Sequence, residues 1–195
     1  PNFNVRFRLN KNLPKNIAVF EVLEVGEDEH CRNDAVSRTY DYFIHLQKDP
    51  FLIRFSSFYG DLQLDFDIMK EAAGLILATK DFKNLCKQPD NYNHTRCEIY
   101  NCQLFVNRTD GRLRFTITAN RFLRGMVRIC VFFLLEVGSG NMTLETFRKI
   151  LNQEKEVDEI RPAHPNGLFL SGIEYPFLEL SNSHSLIRML KVRLQ

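Results

Sequence analysis

The 195-residue sequence lacks tryptophan, a Cys-x-x-Cys pair and any long run of apolar residues. Its longest apolar run, Ile129 to Leu135, is far shorter than the roughly 20 residues of a membrane-spanning helix. The cysteines are odd in number and fit neither a full set of disulfides nor a zinc site. They are Cys31, Cys86, Cys97, Cys102 and Cys130. These absences predict a soluble protein with reduced thiols and no membrane contact, located in the cytoplasm.

Metal-ligand spacing is also absent. The histidines are scattered and do not recur at the short intervals typical of zinc ligands. They are His30, His45, His94, His164 and His184. The sequence therefore predicts no metal site.

The formal net charge is only +2, but basic and acidic residues are segregated along the chain. The basic groups are Arg6, Arg8, Lys11 and Lys15; the stretch from Arg112 to Arg128; and Arg188, Lys191 and Arg193. Acidic residues concentrate between Glu24 and Glu29 and between Glu154 and Glu159. Such clustering can give a near-neutral protein a basic surface for nucleic-acid phosphates, although ordinary solvated patches are the alternative.

Hydrophobic periodicity predicts a strand-rich protein of the α+β class. The predicted strands cover residues 17–25, 38–46, 95–106, 113–119 and 168–175. The predicted helices cover residues 67–78, 81–87, 120–137 and 143–152, and Thr143 is the expected N-cap of the last one. Strands joined by hairpins and by long helical segments indicate a mostly antiparallel sheet with helices packed on a face.

A predicted strand leads directly into a predicted helix between Arg112 and Phe132. The strand alternates polar and apolar residues, as expected of a half-buried strand, and Asn120 is the expected N-cap of the helix. At about 100° per residue, the arginines of this helix form one stripe that ends at Phe132. They are Arg121, Arg124 and Arg128. The stripe indicates either a surface for RNA phosphates or a solvated basic face.

The same region carries a specific motif. It consists of Ala119-Asn120-x-Phe122-Leu123-x-x-Met126-Val127-Arg128, followed by Leu134-Leu135-x-Val137-Gly138-x-Gly140. This motif resembles the C-terminal signature of the tRNA pseudouridine synthase A family. Other blocks occur in that family's order: Leu9-Asn10-x-x-Leu13-Pro14, Arg38-Thr39-Tyr40-Asp41-Tyr42, Ala72-Ala73 with Asp81-Phe82, Gly167-Leu168-x-Leu170 and Tyr175-Pro176. The resemblance covers roughly residues 9–176 and departs from the family at Ala78 and Lys80, where Gly and His are usual.

The resemblance implies a pseudouridine synthase fold and the isomerisation of uridine to pseudouridine in the anticodon stem-loop of tRNA. This reaction detaches uracil from ribose C1′ and reattaches it through C5, so it requires no cofactor, redox partner or metal. Family members act as homodimers that hold one tRNA on their joined surfaces.

One motif of the family is missing. The family's nucleophile is an aspartate in Gly-Arg-Thr-Asp-x-Gly-Val, upstream of the Leu-Asn…Leu-Pro block, which lies here at residues 9–14. We therefore expect a fragment, inactive alone, in which residues 1–30 end the N-terminal half-domain and residues 31–195 form the C-terminal synthase domain. Arg108-Thr109-Asp110-Gly111 is similar to the missing motif, but Asp-Gly between two predicted strands indicates a hairpin turn.

The family match implies roles for three residues. Arg128 is expected to be largely buried and to pair with the absent aspartate, keeping it anionic; the alternative is a surface arginine. Tyr40 is expected to stack on the target base, unless it is a core tyrosine, and Leu168 to lie near the base or in the core. From the basic stripe, Arg121 and Arg124 are expected nearer solvent, in contact with tRNA phosphates.

Two other functions fit the same residues. A non-catalytic RNA-binding relative of the family is favoured by the missing aspartate motif. A general interaction domain could instead use its arginines to bind an acidic protein, and it would lack a tRNA affinity with steep salt dependence.

Overall fold

The structure is a computed structural model that describes residues 4–60, 62–157 and 160–178. The third basic group, His184 and residues 158–159 of the second acidic cluster lie outside the described residues. The described helices are α1 (Val5–Asn12), α2 (Phe66–Ala78), α3 (Met126–Gly138) and α4 (Leu144–Leu151). The described strands are β1 (Ser37–His45), β2 (Ser57–Phe58), β3 (Ile99–Asn107), β4 (Arg112–Ala119) and β5 (Leu168–Glu174).

These strands form one mostly antiparallel sheet, which confirms the predicted α+β class. β1 pairs along its length with β4, and β4 pairs with β3. On its other edge β1 pairs with β5 and, in parallel, with the short β2. The predicted hairpin turn between β3 and β4 is confirmed, because Gly111 has a φ of 65° and Asp110 Oδ1 accepts the N–H of Arg112 at 3.1 Å.

α2, α3 and α4 form the core with the apolar face of this sheet. The residues of β4 on that face are buried, as the alternation predicts; they are Leu113, Phe115, Ile117 and Ala119. The opposite face also contains buried polar groups. The Thr116 hydroxyl donates to the fully buried Asp41, and the Arg114 guanidinium lies 4.4 Å from the ring centre of Phe105. The middle of β4 is therefore buried on both faces, not on one.

Two helix starts agree with the sequence, and one short helix does not. Asp65 caps α2 by accepting the N–H groups of Asp67 and Ile68, and the Thr143 hydroxyl caps α4 by accepting the N–H of Thr146 at 3.1 Å. The predicted short helix at residues 81–87 is reduced to a three-residue 3-10 helix at Lys83–Leu85.

The central helix starts later than predicted. α3 begins at Met126 after Gly125, which has a φ of 76° in the left-handed region. Asn120 is not its cap; the Asn120 side chain instead accepts the N–H of Glu98 at 3.0 Å, beside the end of the β3–β4 pairing. Residues 120–125 form a non-helical segment, called the arm below. Arg121 therefore shares no helical stripe with Arg128.

The predicted strand at residues 17–25 is absent. The Asn10 side chain of α1 forms hydrogen bonds with the backbone of this segment. It accepts the N–H of Val19 and donates to the Val19 carbonyl oxygen, both at 2.7 Å. No described strand pairs with the segment, and most of its apolar side chains are exposed. The periodicity does not predict α1, which buries none of its side chains.

Candidate functional site

A cleft of about 870 Å³ opens between β1, β5, the arm and the loop before β1. Its lining includes Arg38, Tyr40, Asn120, Arg121, Phe122 and Leu170. Two of the predicted site residues, Tyr40 and Arg121, therefore lie in the same cleft.

Tyr40 supplies an aromatic surface to the cleft. Its side chain lies on the same face of β1 as Tyr42, yet Tyr42 is buried and Tyr40 is partly exposed. The Tyr40 ring packs edge-on against Phe122, with ring centres 5.0 Å apart. Tyr40 thus has features of both alternatives, because it packs against the hydrophobic core and also lines the cleft.

Arg38 holds two walls of the cleft together. Its Nη1 donates to the carbonyl oxygens of Ala35 and Asn120, at 2.7 and 2.8 Å, and its Nη2 donates to that of Arg32. The guanidinium thereby joins the loop before β1 to the first residue of the arm. The Arg-x-Tyr-x-Tyr motif contains Arg38, but its role could not be predicted because Asn120 is 82 residues away in sequence.

Tyr92 supports the arm. The Arg121 guanidinium lies 5.9 Å from the Tyr92 ring centre, and the N–H of Arg124 donates to the Tyr92 hydroxyl at 2.9 Å. Arg124 Nη1 also donates to Gln88 Oε1 at 2.7 Å, and its carbonyl oxygen accepts the N–H of Lys87 at 2.9 Å. Arg124 is exposed and Arg121 is partly exposed, so both cations remain accessible.

Arg128 lies in the first turn of α3 and is only partly buried. Its Nε donates to the carbonyl oxygen of Ala163 at 2.5 Å, and its own carbonyl oxygen accepts the N–H of Ala163 at 3.0 Å. Within the described part of the chain, its terminal NH2 groups have no hydrogen-bond partner. A guanidinium held at Nε can still present these groups to a carboxylate.

Leu168 begins β5 opposite Tyr42 and packs against the core. Neither Leu168 nor Arg128 lines the cleft that contains Tyr40. The candidates therefore form two sets. Tyr40 and Arg121 line the cleft with Arg124 beside them on the arm, whereas Arg128 and Leu168 are connected by the chain from Ala163 to Leu168.

Tyr42 contacts this connecting chain, although the sequence does not single it out as a site residue. Its hydroxyl lies 2.6 Å from the carbonyl oxygen of His164. Burial raises the pKa of Tyr42 well above its usual value, and the charge of Arg128 is a smaller influence that lowers it. The hydroxyl therefore stays protonated at neutral pH and acts as a hydrogen-bond donor.

Among the described residues, no three His, Cys, Asp or Glu side chains come close enough together to hold a metal ion. No helix in that part of the chain has both the length and the apolar character needed to cross a membrane.

The described residues thus form an α+β domain in which a mostly antiparallel sheet borders a cleft lined by aromatic and arginine side chains. Comparison with known proteins is more specific. The family model described as tRNA pseudouridine synthase matches residues 72–176, more than half of the chain. This chain belongs to that family.

Individual relatives agree with the family model. The chain is 39% identical over 171 residues to tRNA pseudouridine synthase A of Bacteroides thetaiotaomicron, covering 87% of this chain and 63% of the relative. It is 36% identical to the Porphyromonas gingivalis protein of the same name, covering 87% and 67%, and 32% identical to the Staphylococcus aureus one, covering 86% and 63%. The chain thus spans about two thirds of the length of the relatives that it matches.

Proposed function

We propose that this chain is the C-terminal part of an enzyme that converts uridine to pseudouridine in the anticodon stem-loop of tRNA. The observation that carries the proposal is the placement of Tyr40 in an arginine-rimmed cleft of a chain from this family. Removing a base from its stack costs a few kcal/mol, and stacking on an aromatic side chain returns about 1–3 kcal/mol. Tyr40 is the residue that we assign to this stacking.

The reaction is an isomerisation without a cofactor. The C1′–N1 bond breaks, a C1′–C5 bond forms, and C5 loses a proton while N1 gains one. The nucleophilic aspartate must remain anionic, and a guanidinium beside it lowers its pKa. We assign this role to Arg128, whose attachment to Ala163 supports a fixed orientation. We assign Leu168 to the neighbourhood of the base, as the family match implies, although it does not line the cleft that contains Tyr40.

Asp110 is not the nucleophile in this proposal. It lies in the β3–β4 turn, where its carboxylate contacts the N–H of Arg112 at 3.1 Å and the Nε of Arg112 at 3.5 Å. The sequence contains no Gly-Arg-Thr-Asp motif. We infer that sequence outside residues 1–195 supplies the aspartate and that residues 1–195 alone are inactive. The unburied α1 supports the assignment of residues 1–30 to the neighbouring half-domain.

The remaining expectations follow from the family. We propose a cytoplasmic homodimer that binds tRNA, with phosphate contacts from Arg121 and Arg124. The second candidate, a non-catalytic RNA-binding relative, is favoured by the missing aspartate motif.

Tritium release from tRNA labelled at uridine C5 tests the proposal. The protein that includes a Gly-Arg-Thr-Asp segment should release tritium, and residues 1–195 alone should not. Turnover by residues 1–195 that disappears in Asp110→Ala would contradict the assignment of the nucleophile. Steeply salt-dependent tRNA binding without turnover by the longer protein would favour the non-catalytic relative.

A further inference from the structure

The Tyr42 hydroxyl joins three parts of the chain that are distant in sequence. It lies 2.6 Å from the His164 carbonyl oxygen and 2.9 Å from Ser57 Oγ. Ser57 Oγ also accepts the N–H of Gly167 at 3.1 Å, and the Tyr59 hydroxyl accepts the N–H of His164 at 3.1 Å. β1 and the β2 region thus hold both ends of the chain from His164 to Gly167.

The chemistry of the donors and acceptors fixes the direction of most hydrogen bonds in this network. A carbonyl oxygen cannot donate, so the proton of Tyr42 goes to His164, and the Ser57 hydroxyl can donate to the Tyr42 oxygen. Tyr42 and Ser57 are buried, so water cannot easily replace a lost partner. Removing the Tyr42 hydroxyl therefore takes away the shortest hydrogen bond to the His164 carbonyl oxygen, leaves it only the 3.5 Å contact with Ser57 Oγ, and leaves Ser57 with one partner fewer.

His164 is the neighbour of Ala163, which holds Arg128. The carbonyl oxygen of Ala163 binds Arg128 Nε, while the N–H of Ala163 binds the Arg128 carbonyl oxygen. The Ala163 carbonyl oxygen and the His164 N–H belong to one peptide group, whose N–H donates to the Tyr59 hydroxyl at 3.1 Å. A shift of the His164 carbonyl group can rotate this adjacent peptide group and so move the acceptor of Arg128 Nε. The Tyr42 hydroxyl is thus linked to the Arg128 guanidinium through His164 and Ala163, although Tyr42 and Arg128 share no hydrogen bond.

We propose that Tyr42 is a positioning residue, whose hydroxyl sets the orientation of the Arg128 guanidinium through His164 and Ala163. The catalytic consequence rests on the proposed function, because Arg128 matters to turnover only in a synthase. The structural link does not rest on it and can be tested in residues 1–195.

The structural test is the hydrogen exchange of the Arg128 Nε–H group, followed by ¹⁵N NMR and assigned with Arg128→Lys. Tyr42→Phe keeps the ring in the core and should accelerate this exchange about ten-fold, as expected for a weakened hydrogen bond. The matched control is Tyr100→Phe, the same change at an exposed tyrosine of β3, which should leave the exchange unchanged. Unchanged exchange in folded Tyr42→Phe overturns the proposal. If Tyr42→Phe does not fold, 3-fluorotyrosine placed at position 42 keeps the hydroxyl and makes it a stronger donor to the His164 carbonyl oxygen. It should slow the exchange, and unchanged exchange there also overturns the proposal.

The kinetic test uses the protein that includes the aspartate segment. Tyr42→Phe should lower kcat about ten-fold while KM for tRNA stays within about two-fold, because phosphate contacts dominate binding. In an Arg128→Lys background the same change should have little further effect, since Tyr42 acts through Arg128. Fully additive losses overturn the proposal. A wild-type protein without turnover would instead refute the proposed function, and the exchange measurement would still decide the structural link.

Discussion

A glycine-to-alanine substitution should have opposite effects on stability at Gly167 and at Gly74, because the space around the two residues differs. A Cβ at Gly167 would lie 2.4 Å from the Phe43 carbonyl oxygen and 3.1 Å from Ser57 Oγ. A Cβ at Gly74 in α2 would meet nothing within 4 Å. We predict that Gly167→Ala destabilises the fold by about 1–3 kcal/mol through overpacking. Gly74→Ala, the control, should stabilise it by about 0.5–1 kcal/mol because alanine favours helices. Urea unfolding measures both, and equal effects would contradict the packing at Gly167.

Substitution of Tyr40 should affect turnover much more than tRNA binding. In the protein with the aspartate segment, Tyr40→Ala should abolish turnover while tRNA affinity stays within about a few-fold, since one stacking contact is small beside many phosphate contacts. Tritium release and filter binding measure the two quantities. Tyr100→Ala, at an exposed tyrosine away from the cleft lining, is the control. Unfolding of Tyr40→Ala would identify Tyr40 as a core residue instead.

At the scale of elements, the arm between β4 and α3 presents two cations on one short segment. We predict that Arg121→Ala and Arg124→Ala each weaken tRNA binding and reduce its salt slope by up to about one unit per lost phosphate contact. Arg108→Ala is the control, because Arg108 lies at the opposite end of β4 and is paired with Asp67 at 2.9 Å. Binding titrations at several salt concentrations distinguish the two outcomes, and an equal change in all three variants would assign the binding to net charge rather than to the arm.

Elements whose signals are local could be predicted from the sequence. The buried apolar face of β4, the Thr143 cap and the Asp-Gly turn depend on neighbouring residues, and the structure confirms all three. The start of α3 depends instead on a tertiary contact. The Asn120 side chain accepts the N–H of Glu98, so it does not cap a helix at that position. The apolar residues at 17–25 suit a strand, but no described strand lies beside them.

The candidate site shows the same difference between local sequence signals, which could be predicted, and tertiary contacts, which could not. The family match indicates Tyr40 and the basic stripe indicates Arg121, and the structure brings both into one cleft. The supporting residues Arg38, Tyr42 and Tyr92 act through partners between 32 and 122 residues away in sequence, as shown by the Tyr92–Arg124 and Tyr42–His164 contacts. Periodicity and short motifs carry no information about such contacts.

Across the whole molecule, the cysteines report on how well the core excludes solvent. Cys31 is exposed, whereas the other four are buried. Burial raises the pKa of Cys86 and of Cys97 to about 11, so at pH 8 these thiols remain protonated and unreactive. We predict one fast-reacting thiol in the native protein and four more after unfolding, counted with a chromogenic disulfide reagent. Cys31→Ser should remove the fast phase, and a second fast thiol would show that the core opens easily.

Deletions from the N-terminus test the predicted domain boundary between residues 30 and 31 through their effect on the stability of the protein. α1 buries no side chain, and the apolar side chains that follow it are largely exposed; they include Ile17, Phe20, Val22, Leu23 and Val25. Exposed apolar surface contributes little to stability, so deletion of residues 1–30 should leave the free energy of unfolding within about 1 kcal/mol. Deletion of residues 1–36 is the comparison, because it also removes the carbonyl groups of Arg32 and Ala35 that bind Arg38. We expect this longer deletion to destabilise the fold by about 1–3 kcal/mol, since the Arg38 guanidinium loses two acceptors. Cooperative urea unfolding measures both, and a large loss already at residue 30 would place α1 within the domain that begins with β1.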